Sequence, residues 1–153
     1  MVNIMAGHDP QIPGELDEAV GAVISAVRRH HYVFEGTVER TRGAIEFDFT
    51  NGRTILLDEA ADGQSVRVTS ERWVDPFREP LTAMNRDYVA RSGKWTVFDV
   101  TGEAPYSLVV GQVVEGIDLV RNESSSLSGF IVLTKAVALR IENVGDEIKV
   151  EPV

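Results

Sequence analysis

The chain has 153 residues, 43% hydrophobic and 25% charged, enough apolar material for one domain with a core of its own and unlike a disordered polymer. Its 24 acidic residues outnumber 15 basic ones, a formal charge of −9 that repels phosphate backbones and anionic headgroups, so neither nucleic acid nor a membrane is an expected partner. It contains no cysteine, which removes disulfides, thiolate metal sites and cysteine nucleophiles together.

Residues 1–14 carry neither a basic leader region nor an unbroken apolar stretch and read as a mobile N-terminal segment. No part of the chain approaches the ~18 apolar residues of a membrane span, and the expected location is the cytoplasm. Leu16, Val20, Val23 and Val27 share one face of a helix, with Glu15, Asp17 and Glu18 complementing its start, yet the β-branched residues also suit a sheet. The reading adopted is a helical turn over Glu15–Val20, followed by a strand from about Val23 to Phe34. Gly43 to Phe49 alternates Ile45, Phe47 and Phe49 against Glu46 and Asp48, the period of a half-buried strand. Asn51-Gly52 follows, a pair suited to a type I′ turn, so 53–58 is expected to return antiparallel.

The stretch from Thr69 to Ser107 differs in character. Asp75-Pro-Phe-Arg78-Glu-Pro80 interrupts regular pairing, because proline lacks an N–H and restricts its predecessor. Leu81, Met84, Tyr88 and Val89 recur at helical spacing before Gly93, predicting a short helix over Leu81–Arg91. Lys94 to Val100 alternates as a strand, placing Trp95 and Val97 opposite Lys94, Thr96 and Phe98, and Gly102 to Pro105 ends it. Val113–Arg121, Phe130–Thr134, Val137–Glu142 and Glu147–Glu151 read as strands, with a polar loop over Asn122–Ser128 and a turn at Gly145-Asp146.

The chain also resembles itself. Ala19–Val27 can be laid over Val109–Ile117, matching Gly21 with Gly111 and Ile24 with Val114. Gly43–Phe47 follows the pattern of Gly129–Leu133, Ile55–Leu57 that of Leu139–Ile141, and Ser65–Val68 that of Glu147–Val150. Fixed order at similar spacing is the mark of one supersecondary unit used twice. The expected fold is α+β and mainly antiparallel β: two related β-meander halves, 19–68 and 109–150, joined by 69–108. These would form a sandwich or half-open barrel with one or two short helices.

Chemistry is sparse in the sequence. His30 and His31 are adjacent, so their rings point to opposite faces of a strand and cannot grip one ion, and with His8 they read as surface histidines. No G-x-S-x-G elbow is present, and Gly93-Lys94 lacks the earlier glycine and following hydroxyl of a phosphate loop. The basic residues of 28–31, and Arg86, Arg91 and Lys94, are not interleaved with aromatics as in single-strand binders. No metal or cofactor is therefore expected. The acidic groups Asp58-Glu59 with Asp62, and Asp146-Glu147, read as solvated turns, or as carboxylates that meet in a cleft between the halves. Trp73 and Trp95 flank the joining segment. Facing inward they are core; facing outward they are anchors for a partner.

Val110-Gly111, Gly116–Glu123, Gly129–Leu133, Leu139–Ile141 and Gly145–Val150 resemble a pattern of small uncharacterised bacterial proteins, some suspected to be immunity or accessory proteins of toxin systems. That resemblance implies a non-enzymatic binding protein and no catalytic residues. The functional expectation is a non-catalytic domain that meets a protein partner through an acidic surface and the Trp73, Arg78 and Trp95 region. Carboxylate chemistry by Asp58, Glu59, Asp146 and Glu147 is the alternative. A homodimer, or a structural subunit pairing through its strand edges, is the expected form of self-assembly.

Overall fold

The computed structural model describes residues 13–153; His8 and the rest of the N-terminal segment to residue 12 lie outside them. A short helix α1 (Gly14–Ala19) begins within the segment expected to be mobile and buries Leu16 and Ala19. Ten strands follow, with one further helix: β1 (Ile24–Phe34), β2 (Thr37–Glu39), β3 (Ile45–Phe49), β4 (Thr54–Glu59), β5 (Val66–Thr69), α2 (Ala83–Ser92), β6 (Lys94–Asp99), β7 (Gly116–Arg121), β8 (Leu127–Leu133), β9 (Ala138–Val144) and β10 (Glu147–Pro152). A 3-10 turn spans Tyr106–Leu108. The polar loop expected over Asn122–Ser128 is thus shorter, because β8 already pairs from Leu127.

Two antiparallel sheets form. One runs β6, β1, β3, β4, β5, with β2 on the β3 side of β1; the other runs β10, β9, β8, β7. Their inner faces meet across Val27, Ile45, Phe47 and Leu57 on one side and Phe130, Val132, Leu139 and Ile141 on the other, with the Phe47 and Phe130 rings 6.3 Å apart. This is an open two-sheet sandwich, and α1 packs Leu16 into one end of it. α2 buries no residue fully; its apolar side half-buries Val89 and places Tyr88 against Phe77.

The two halves are the same meander, β1-β3-β4-β5 and β7-β8-β9-β10. Register sharpens the sequence match: Val27 pairs Phe47 as Ile117 pairs Val132, so Phe47 corresponds to Val132 and Ile45 to Phe130. The expected match of 43–47 with 129–133 is therefore one residue out of step, since a one-residue slip would turn Ile45 from core to outer face. The matching glycine turns hold each other. Gly21 N donates to Val114 O and Gly111 N to Ile24 O, while Val114 N donates to Ala22 O and Ile24 N to Gln112 O. Each bond has its twin when 90 is added to the numbers of one half, around a bridge between Val23 and Val113.

Turn chemistry is distributed differently from expectation. The β3–β4 hairpin forms, but only Gly52 takes a positive φ (85°), closing a three-residue loop in which Phe49 N donates to Arg53 O. That is the bulged turn in which glycine alone needs the left-handed conformation. The two-residue turn with both centres at positive φ is Gly145-Asp146 (59° and 66°).

Candidate functional site

Opposite His30 and His31 the partner strand carries an insertion. Tyr32 pairs Glu39 and Arg29 pairs Ile45, so two residues of β1 face the five residues 40–44. The extra chain bulges toward the second sheet, where Ile148 N donates to Thr41 O. Gly43 sits at φ 109° against β1, and a Cβ there would lie 1.7 Å from His30 O, so only glycine fits.

Arg29 holds this bulge from inside. It is 2% exposed and donates to Ala44 O (3.3 Å), Gly43 O (3.2 Å), Ile148 O (3.4 Å) and the Tyr106 hydroxyl (2.8 Å). The corresponding residue of the second half is Leu119, so a buried cation stands where the other copy has an apolar side chain. His31 shares the inner face and donates from Nδ1 to Arg42 O (3.1 Å); burial holds its pKa below the ordinary 6.5.

The outer face carries a second polar network. His30 Nε2 lies 2.5 Å from Glu46 Oε1, and the ring packs on Trp73 with centroids 4.6 Å apart. Both histidines are buried, which overturns the surface reading; adjacent residues of a strand point to opposite faces, and here both faces are covered. Glu46 also accepts from Trp73 N (3.1 Å) and Arg28 (3.5 Å). Burial alone would raise its pKa, but the His30 hydrogen bond, the Trp73 N–H and the Arg28 charge outweigh it and hold it below normal. Arg28 grips Asp48 with two bonds (2.6 and 2.8 Å), Thr54 and Arg72 add two more, and the Asp48 pKa falls to about 2, chiefly through Arg28.

These contacts strap segment 72–77 across the outer face. Arg72 is fixed to Asp48, the Trp73 backbone to Glu46, and Asp75 to Lys94 Nζ (2.6 Å), which also donates to Phe77 O (3.2 Å). Between strap, β1, β6 and α2 opens a groove of about 280 Å3, lined by Tyr32, Trp73, Phe77, Tyr88 and Trp95. Tyr32 and Trp95 meet edge to face at 5.3 Å, while Phe77 and Tyr88 stack at 5.4 Å. Neither tryptophan belongs to the core; Trp95 is 38% exposed, because β6 turns it with Val97 away from the second sheet. Arg78 follows the strap, exposed and outside this lining.

On the other side of the tryptophans lies a wider cleft of about 550 Å3, bounded by His30, Arg42, Asp58, Glu59, Arg67 and Asp146 among others. Two of the four carboxylates foreseen in the sequence do meet. Asp146 accepts from Arg42 (2.9 Å), Glu59 Oε2 lies 4.0 Å from the same guanidinium, and Glu59 Oε1 accepts from Gly43 N (3.0 Å). Asp58 turns to Arg67 (3.5 Å), Asp62 caps its own turn through Ser65, and Glu147 opens β10 outside the cleft lining. Among the described residues no group of three His, Asp or Glu is placed to hold a metal ion. A third hollow, of about 500 Å3 beside α1, is spanned by an ion pair of Glu18 with Arg53.

Glu59 provides a pH signature. Burial raises its pKa above 4.5, the Gly43 N–H opposes the rise, and neighbouring Asp146 adds to it. A carboxyl whose folded value exceeds its unfolded one favours folding fully below the unfolded value, and that advantage disappears as pH climbs through the raised value. Denaturation at a series of pH values from 4 to 7 should show the wild type losing stability relative to Glu59→Gln, whose amide oxygen can still accept from Gly43. Parallel pH curves would contradict the assignment.

Sequence reasoning singled out the two tryptophans that line this groove, set Arg29 and His30 aside as a sparse basic stretch and surface histidine, and gave no structural role to Glu46 or the 40–44 insertion. The unusual density of charge within Arg28–His31, inside a mostly apolar strand, signalled the two β1 residues alone; Glu46 and 40–44 carried no such mark. No helix among the described residues is long and apolar enough to cross a membrane. No family model, curated protein or solved structure matches this chain.

Proposed function

We propose that this chain is a cytoplasmic protein-binding domain that takes an extended segment of its partner along the Trp73–Trp95 groove. The observation that carries this reading is the aromatic lining itself. Five large rings from four separate elements converge on one open hollow instead of entering the core, and a network of charged side chains is committed to holding Trp73 there. Grooves walled by Trp and Tyr suit extended peptides, since rigid rings give contact area at small entropic cost, and such residues dominate binding hot spots. The adjoining cleft offers both signs of charge, with Arg42 and Arg67 beside Asp58, Glu59 and Asp146, so charged side chains flanking the seated segment would find opposite partners.

Selection of a displayed random-peptide library on the full chain tests this. Peptides should be enriched, and synthetic copies should lose at least about tenfold in affinity for Trp95→Ala and for Trp73→Ala, the loss of a hot-spot residue. Absence of enrichment, or equal affinity for the variants, would overturn the reading.

A further inference from the structure

The two sheets expose several strand edges, and all but one carry a feature that discourages pairing. β2 has three residues and β5 four, with Arg67 inside β5. β7 contains Asp118 and an irregular register at Val120/Arg121. β10 alternates Glu147, Lys149 and Glu151 and ends in Pro152. Short strands, charges, bulges and proline are the usual protections of an edge. β6 is six residues long, regular and without proline; its charges stand only at its two ends, Lys94 engaged with Asp75 and Asp99 at the last position, and Trp95 and Val97 between them are 38% and 41% exposed.

The hydrogen-bond phase of β6 is fixed. Val100 N donates to Val27 O, and Val27 and Val100 continue the β1–β6 register, so the bonds to β1 fall at Phe98, Thr96 and Lys94. His30 N accordingly donates the other way, to Ala44 O beside β3. The N–H and C=O groups of Trp95, Val97 and Asp99 therefore point away from β1, along an edge that no strand among the described residues pairs.

We propose that this edge pairs with the β6 of a second copy of this chain, antiparallel, about a two-fold axis through Val97. Outward-facing residues must pair with outward-facing residues. Centring on Val97 uses Trp95 with Asp99, Val97 with Val97 and Asp99 with Trp95, all three on each strand, whereas centring on Thr96 uses only two. The charges do not oppose this: the antiparallel arrangement sets the two Asp99 carboxylates at opposite ends of the seam, each facing a Trp95, and Lys94 is already paired with Asp75, so no like charges face each other. The seam thus brings together two chains of formal charge −9 with no direct opposition of like charges along the strand. Pairing continues the sheet across the seam and leaves the peptide groove on its outer face, so this inference stands apart from the binding reading above.

Sedimentation equilibrium of the full chain tests it through a charge exchange at the axis. Wild type should show dimer mass that dissociates on dilution. Val97→Lys and Val97→Glu should each be monomeric where wild type is dimeric, since like charges then face each other directly. An equimolar mixture of the two should recover the dimer. A wild type monomeric up to ~1 mM, a dimeric Val97→Lys, or a mixture that stays monomeric would overturn the proposal. Amide exchange of the wild type reads the same contact without substitution: Trp95, Val97 and Asp99 should be protected at high concentration and exchange faster on dilution, and unchanged rates would overturn it.

Discussion

Arg29→Ala is expected to cost about 3–5 kcal/mol of folding stability, the scale of deleting a large buried side chain together with its hydrogen bonds. The guanidinium fills a site 2% exposed, and its removal takes away the donor to the Gly43 and Ile148 carbonyls and the Tyr106 hydroxyl, while Ala44 O keeps the His30 N–H. Each stranded buried acceptor adds roughly 1–3 kcal/mol, partly relieved where water follows the lost side chain. Urea unfolding should show a lower midpoint at an unchanged slope, since the surface exposed on unfolding barely alters. Arg29→Lys should recover only part of the loss, because one ammonium with three donors cannot reach four acceptors spread over the bulge, β10 and the 3-10 turn. A loss below about 1 kcal/mol for Arg29→Ala would mean that the network contributes little net stability.

Gly43→Ala should be comparably severe, about 3 kcal/mol or more, from backbone strain and overpacking combined. The contrast with Gly36 isolates the cause. Both glycines have positive φ, 109° and 76°, but a Cβ at Gly36 meets nothing within 4 Å while one at Gly43 overlaps His30 O. Gly36→Ala should therefore show only the left-handed penalty of roughly 1–2 kcal/mol, and the difference between the two variants measures the close approach of bulge to strand. Because Gly43 N also bonds Glu59 and its neighbour Arg42 bonds Asp146, Gly43→Ala should reshape the charged cleft too. Equal costs for the two substitutions would remove the steric argument.

The architecture was largely legible because the strands alternate cleanly and the halves share their punctuation. Ile45, Phe47, Ile55 and Leu57 announce one inner face, and Gly21 and Gly111 mark the same turn twice. The helix-or-strand ambiguity of 15–29 resolved as both, α1 and then β1, since one segment satisfied each period in part. What stayed hidden was tertiary. Nothing in 40–44 distinguishes an ordinary polar loop from an insertion folded against a buried arginine. A histidine pair reads as surface until its neighbours are known: Trp73, 43 residues on, covers His30, and the carbonyl of Arg42 holds His31. The convergence of Glu59 with Asp146 likewise depends on two turns far apart in the chain touching through Asp146 N and Gly63 O.

The twinned bonds around Val23 and Val113 tie the halves together in a way that a packed interior alone would not. Each half supplies the donors and acceptors that finish the start of the other's first strand, so either one by itself would present an open, unsatisfied flank. The clasp thus makes the pair of meanders an obligate partnership within one chain, and a sequence change in either glycine turn is felt on both sides at once.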